Sequence, residues 1–257
     1  MEIIVTILNG VCEIKLNRPS VYNSFNQAMA FSLQKALDFA ELNEEVRAIV
    51  ITGEGKAFCA GQDLAEAMDP EGPALQSIVK DHYNPIIERI RAIEKPIIAA
   101  VNGVAAGAGA NIALACDITI AKKSASFIQA FSKIGLIPDS GGTFFLPRIV
   151  GSQKALALMM TGDKISAEQA DAMNMIYKAV EDDAFETEVK SFSETIAALP
   201  TRGLGLTKKA VNASFNNTLT QQLALEEELQ TEAGKTYDFR EGVNAFLEKR
   251  KPQFKGK

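Results

Sequence analysis

Hydrophobic positions along this chain switch between two periods. Ile3, Val5 and Ile7 recur at every second residue, Asn9-Gly10 suits a type I′ turn, and Cys12, Ile14 and Leu16 resume the alternation. That pattern predicts an N-terminal hairpin. Asn17-Arg18-Pro19 breaks the second strand. Asn26 then stands where it can cap a helix whose apolar positions Met29, Leu33, Ala36, Leu37 and Ala40 follow a period near 3.6. Residues 48–52 (AIVIT) predict a short buried strand, closed by the turn Gly53-Glu54-Gly55. Residues 56–64 (KAFCAGQDL) read as a strand, a small-residue loop and a helix start. A polar loop at 69–74 leads to an amphipathic helix at 78–93, ended by Lys95-Pro96. Another buried strand is expected at 97–101, a helix at 109–115, and further strands at 117–121 and 126–128.

Short strands therefore alternate with helices in a strand-strand-helix rhythm, an α/β pattern without literal sequence repeats. Beyond residue 195 only helical periodicity remains, at 204–214, 219–234 and 239–250. The chain divides into a core over 1–195 and a helical C-terminal region over 196–257. Leftover apolar faces in such a region dock on the core or on another subunit.

Composition narrows the function classes. The 257 residues are 47% hydrophobic and 23% charged, with a mean hydropathy of +0.01, a globular balance with material for a sizeable core. Twenty-seven basic residues against 32 acidic ones give a net charge of −5, so nucleic acid is not the expected partner. Cys12, Cys59 and Cys116 are far apart and lack metal-ligand spacing, which reads as reduced thiols in a cytoplasmic protein. No signal-peptide pattern opens the sequence. Residues 96–116 carry no charge over a length that spans a bilayer, yet they include two asparagines and three glycines. Strand, glycine-rich turn and buried helix fit them better than a membrane span. The single histidine excludes a histidine metal cluster, and no metal site is expected. His82, in KDHYNP, reads as a surface residue.

Three loops can carry chemistry: 58–64 (FCAGQDL), 102–111 (NGVAAGAGAN) and 135–143 (GLIPDSGGT). In the first two, a buried strand runs into glycine and alanine before a helix start, where N–H groups lack partners. Each alone reads as a tight βα connection. Side by side, they can offer two backbone donors to one oxygen, an oxyanion hole. The second loop does not complete a dinucleotide fingerprint, because Ile112 stands where the third glycine belongs. Asp139 has a plain role as a turn aspartate or helix cap. Its sharper role is an acid/base carboxylate among Ile137, Phe144 and Phe145, where desolvation raises its pKa.

At these loops the chain resembles the crotonase, or enoyl-CoA hydratase/isomerase, superfamily, through LNRP at 16–19, FCAGQDL, the NG…GAG loop and IPDSGGT. The match extends to Arg240-Glu241-Gly242-Val243 and FLEKRKPQF. Within the superfamily, YNP at 83–85, NGVAAGAGA and FSKIGLIPDSGGT are most like the isomerases that act on the ring-1,2-epoxide of phenylacetyl-CoA. The resemblance implies a spiral of ββα units with a C-terminal helical trimerisation region, as a homotrimer or dimer of trimers. It implies acyl-CoA thioester substrates, no cofactor apart from that coenzyme A, and a sister enoyl-CoA hydratase as a pathway partner.

It also implies the site. The backbone N–H groups of Gln62 and Ala108 form the oxyanion hole, with Ala60, Gly61, Asp63, Leu64, Gly107 and Gly109 lining the thioester. The two glutamates with which family hydratases handle water align with Asn111 and Phe131, which become residues of the acyl site. Neither is a carboxylate, so hydratase activity is expected to be very low, and Asp139 is left as acid/base. The expectation is conversion of ring-1,2-epoxyphenylacetyl-CoA to the oxepin. The alternatives are a general β,γ-to-α,β enoyl-CoA isomerase and a non-catalytic CoA-binding subunit. Dehalogenase-like hydrolysis is disfavoured because the chain has no tryptophan.

Overall fold

The computed structural model describes residues Met1–Lys257. Strands β1 (Ile3–Leu8) and β2 (Val11–Leu16) pair antiparallel, with Leu8 opposite Val11. Asn9 and Gly10 both take the left-handed backbone region, at φ 52° and 80°, as a type I′ turn demands. Helix α1 (Gln27–Leu42) starts at Asn26, whose side chain accepts from the Met29 amide at 2.9 Å, and it buries the expected apolar positions.

The chain then lays down strands in pairs. β3 (Ala48–Gly53) and β4 (Ala57–Cys59) lead to α2 (Leu64–Ala67). A longer helical segment runs from α3 (Leu75–Ser77) through a π-helical turn at Ile78–Tyr83 into α4 (Asn84–Ala92). β5 (Ile97–Val101) and β6 (Val104–Ala106) lead to α5 (Ala108–Ala115), and β7 (Ile118–Lys122) and β8 (Ser126–Ile128) to a 3-10 turn at Ala130–Ile134. Next come α6 (Gly142–Val150), α7 (Ser152–Thr161), β9 (Lys164–Ser166), α8 (Ala167–Ala172) and β10 (Lys178–Val180). Helices α9 (Phe185–Ala197), α10 (Thr201–Ser214), α11 (Leu219–Ala233) and α12 (Tyr237–Leu247) complete the order.

The first strand of each pair joins a six-stranded sheet, ordered β1-β2-β3-β5-β7-β10. The second joins a four-stranded sheet, ordered β4-β6-β8-β9. Each ββα unit thus adds one strand to both sheets, which is the expected spiral. Ile49, Ile51, Ile97, Ala99 and Val101 face the main core, while Val50, Ile98, Ala100 and Ile120 face Phe185 and Val189 of α9. A sheet covered on both sides needs apolar residues at successive positions. Every residue of α5 is buried, so the uncharged stretch at 96–116 belongs to the interior. No helix is long and apolar enough to cross a membrane.

The polar tail beyond α12 is tied down. The Asp238 carboxylate accepts from the Lys255 and Gly256 amides at 2.6 and 2.7 Å, and Glu241 accepts from the Gln253 amide at 2.7 Å. Arg250, 2.6 Å from Glu241, helps hold that carboxyl down at about 2. Arg47, next to β3, donates to the carbonyls of Phe254 and Leu199.

The helix expected at 78–93 departs from plain α geometry. A π-turn closes hydrogen bonds one residue further on than an α-turn, so its side chains fall out of the 3.6-residue phase. His82, read as a surface residue, is turned inward and is 2% exposed, edge-on to Phe31 at 5.3 Å. Burial lowers its pKa. Tyr83 is likewise buried, edge-on to Phe25 at 5.7 Å.

Candidate active site

Two of the three loops meet at the ends of the adjacent parallel strands β4 and β6. The 60–63 loop is fastened to the 22–25 segment by three main-chain bonds. Ala60 donates to the Tyr22 carbonyl at 3.0 Å, Phe25 to the Gly61 carbonyl at 2.7 Å, and Asp63 to the Phe25 carbonyl at 2.8 Å. Gly61 and Asp63 use the flank that faces Phe25, so the Gln62 N–H is directed to the opposite flank. It has no acceptor within the protein.

The start of α5 adjoins this loop. Ala108 is the first residue of that helix, so its amide has no intrahelical acceptor. Gly61, at φ 93°, lies so close that a Cβ there would stand 2.9 Å from the Ala106 carbonyl oxygen and 3.6 Å from the Ala108 nitrogen. A Cβ on Gly109 would meet the Cys59 carbonyl oxygen at 2.4 Å. These two glycines set the spacing of the loops. Gly107 precedes the helix at φ 52°, with the buried Phe131 ring within 4 Å of where its Cβ would be.

Several side chains hold the loops from behind. Arg18 donates to the Ser24 carbonyl at 2.7 Å and to the Asp63 carboxylate at 2.9 Å. Asp63 also caps α2 through the Ala65 amide at 3.1 Å, so its carboxylate is engaged within the protein. Leu64 is 52% exposed. The Tyr83 hydroxyl donates to the Gln62 side chain at 2.8 Å, an anchor that sequence reasoning missed. YNP was legible as a motif, but the inward turn of Tyr83 depends on the π-helical stretch.

The third loop brings Asp139 to the same helix. Its carbonyl accepts from the Gly142 amide and from Asn111 Nδ2, both at 2.8 Å. Asn111 lies three residues after Ala108 on α5, about 4.5 Å along the axis. Ser140 and Gly141 follow at φ 50° and 72°. For a serine, the left-handed region costs on the order of 1–2 kcal/mol. The Asp139 carboxylate accepts from Ser140 Oγ at 2.9 Å. Burial pushes its pKa above the usual carboxylate value, against the lowering effect of the Ser140 hydroxyl. Burial also holds the Tyr83 phenol well above its ordinary range, with smaller contributions from Cys59 and Asp139.

Two expectations about this turn need correction. Ile137 is 80% exposed and Phe144 37%, so they do not enclose Asp139 as expected, whereas Phe145 packs against the core. Nor does Asp139 cap α6; Gly141 occupies the cap position, with no side-chain cap bond. Asn111 is fully buried, and its Oδ1 accepts from Gln129 Nε2 at 2.8 Å, so both ends of its amide are used within the protein.

Grooves of about 520 Å³ beside α9 and about 570 Å³ along α11 and α12 contain none of Gln62, Ala108 or Asp139. Free amides, a strained turn and a carboxylate with a raised pKa are gathered instead around the start of α5.

A family model described as enoyl-CoA hydratase/isomerase matches residues 6–257. The chain is 48% identical over 261 residues to the 1,2-epoxyphenylacetyl-CoA isomerase of Escherichia coli (strain K12), with 100% of both chains covered. It is 47% identical to a probable enoyl-CoA hydratase of Rhodobacter capsulatus, covering 98% of this chain and 96% of that one. Among solved structures, the enoyl-CoA hydratase of Bacillus anthracis superposes with a TM-score of 0.93 at 33% identity, with 100% of both chains covered.

Proposed function

The chain belongs to the enoyl-CoA hydratase/isomerase family, enzymes of the acyl-CoA isomerase and hydratase type, and from that premise we propose that it is an isomerase that moves one proton with one carboxylate. The observation that carries this reading is the distribution of acidic groups around α5. By the family resemblance, Asn111 and Phe131 align with the two glutamates of the family's hydratases, and neither is a carboxylate. Asp139 remains, and burial raises its pKa above the usual carboxylate value, the direction an acid/base carboxyl needs.

In this reading the Gln62 and Ala108 amides hold the thioester oxygen. Asp139 takes a proton from the carbon next to the thioester, and the electron pair moves into an enolate whose oxygen rests on the two donors. Each donor contributes about 3 kcal/mol to such a transition state. Returned to a carbon further along, the same proton shifts the double bond into conjugation with no change in composition.

For ring-1,2-epoxyphenylacetyl-CoA, cleavage of the carbon–carbon bond shared by the two rings gives the seven-membered oxepin. The proton shift then fixes the product. The 48% identity to an isomerase of that name supports this substrate over a general β,γ-enoyl-CoA.

The test is incubation with ring-1,2-epoxyphenylacetyl-CoA and, separately, with a β,γ-enoyl-CoA, followed by mass and ultraviolet spectra. Oxepin formation that vanishes in Asp139→Asn supports the reading. Turnover of the enoyl-CoA alone would move the assignment to a general isomerase, and hydration of an α,β-enoyl-CoA at a family rate would sink it.

We further propose that the C-terminal helices mediate a trimer or dimer of trimers. Exposed Phe239, Val243, Phe246 and Leu247 support this, and a stable monomer in sedimentation would refute it.

A further inference from the structure

Asn111, Gln129 and the 139–142 turn form a chain of hydrogen bonds whose direction is fixed at one end. The main-chain carbonyl of Asp139 can only accept, so the Asn111 atom facing it is Nδ2. Oδ1 is thereby turned toward Gln129, which must present Nε2 to it. Gln129 Oε1 is then left buried without a partner. Both side chains are sealed from solvent, at 0% and 3% exposure. Gly142 closes the remaining side, since a Cβ there would stand 2.3 Å from Asn111 Nδ2. A buried acceptor without a partner is a cost that folds rarely carry without a reason. Here it accompanies the tie from α5 to a turn that holds Ser140 in the left-handed region.

We propose that Asn111, oriented by Gln129, is a positioning residue for Asp139, holding the strained turn so that the carboxylate keeps a fixed place relative to the oxyanion donors. The proposal rests on the reading of Asp139 as the proton carrier. One rigid element supplies both references, because Ala108 and Asn111 share α5. Release of the tie moves the carboxylate without touching the main-chain donors. A displacement of about 1 Å at a reacting group costs roughly 100-fold in rate, whereas thioester binding should hardly change.

Three variants approach the tie from different sides. Asn111→Leu keeps the branch at Cγ and cannot donate. Gly142→Ala pushes the Asn111 amide away while keeping the asparagine itself. Gln129→Leu removes the orienting partner and keeps the donor. The expected result is a fall in kcat of about 100-fold for the first two and of several-fold for the third. Affinity for unreactive phenylacetyl-CoA should stay within about twofold of wild type. The acid limb of the kcat–pH profile should move to lower pH as the freed carboxyl meets water. Tyr83, the other titratable group beside Asp139, has its phenol too high to give an acid limb.

Thermal unfolding identifies any variant that fails to fold, and the remaining ones decide. Wild-type kcat with an unshifted profile in the folded variants would overturn the proposal. Loss of phenylacetyl-CoA affinity in step with kcat would also overturn it, by showing that Asn111 acts on the substrate. Asp139→Asn measured alongside separates the two levels. A dead Asp139→Asn with normal Asn111 and Gly142 variants leaves the isomerase reading and removes only the positioning role, whereas an active Asp139→Asn removes both.

Discussion

The 60–63 loop and the 139–142 turn flank the start of α5, yet they are held in different ways. Three main-chain bonds fasten the loop to residues 22–25, and what it offers is an amide of Gln62. The turn's main-chain bonds stay local, from Gly142 to the Asp139 carbonyl and from Phe144 and Phe145 to the Gly141 carbonyl, and side chains do the rest: Asn111 from below and Ser140 on the carboxylate itself. A donor made of backbone is indifferent to the side chain it carries but sensitive to the spacing between strands. A carboxylate on a strained turn is the reverse. The two flanks should therefore fail under different substitutions.

Asp139→Asn is the largest expected break, a loss of about 10²–10⁴-fold in kcat with thioester affinity retained, read by steady-state rates and equilibrium binding. It should also change stability. The fold raises the Asp139 pKa and so binds its proton more tightly than the unfolded chain does. Stability from this group is therefore lost as pH rises from the ordinary carboxyl value through the raised one, and the loss persists above it. Asn does not ionise, so the variant should melt higher than wild type at neutral pH, with the difference closing in acid. A variant that melts lower at pH 7 and equally in acid would contradict the raised pKa.

On the other flank, Gly61→Val forces a β-branched residue into φ 93° against the Ala106 carbonyl. A loss of about 10²–10³-fold in kcat is expected, the range for losing an oxyanion donor. Gln62→Ala at the neighbouring position keeps the amide and should lose far less. Comparable losses in the two would mean that the Gln62 side chain, rather than its backbone, does the chemistry. Gly109→Ala meets Cys59 and should cost about 1–3 kcal/mol by overpacking, measurable in urea unfolding. Tyr83→Phe removes one hydrogen bond to Gln62 and should cost about 1 kcal/mol, a several-fold change in kcat. The smallest effect concerns thiols. Burial pushes Cys59 and Cys116 up to about 12, so a thiol reagent at pH 7 should leave both unlabelled until the protein unfolds.

What the sequence made legible follows the range of the physics involved. The Asn9-Gly10 turn, the Asn26 cap and the run at 48–52 depend on neighbours a few residues away, and they form where the pattern puts them. The two glycine loops were legible as loops, because small residues before a helix announce close approach. That they belong side by side needs the β4–β6 pairing, which no local pattern encodes. His82 and Tyr83 were misplaced or passed over because a 3.6-residue wheel does not apply across a π-turn. Gln129 gave no signal at all, since a polar residue after a strand reads as exposed, and its burial is decided by a partner 18 positions earlier. Around Asp139 the apolar neighbours in sequence do not all turn inward: Ile137 is exposed and Phe144 partly so, and local pattern does not tell which neighbours bury the carboxyl.

The π-turn at Ile78–Tyr83 acts like one residue inserted into an otherwise regular helix. Its consequence is a matter of chain length rather than residue type. Deleting one residue between positions 78 and 82 would restore α geometry and leave Tyr83 and α4 on their packing. The residues on either side would keep their register, because the turn already absorbs the extra residue that the deletion removes. The 69–74 connection and α2 would keep their places, and the Tyr83 hydroxyl would stay on Gln62. A single lost codon in this stretch would thus leave the site in register, whereas the same loss inside a regular helix such as α1 would rotate one end against the other by about 100°.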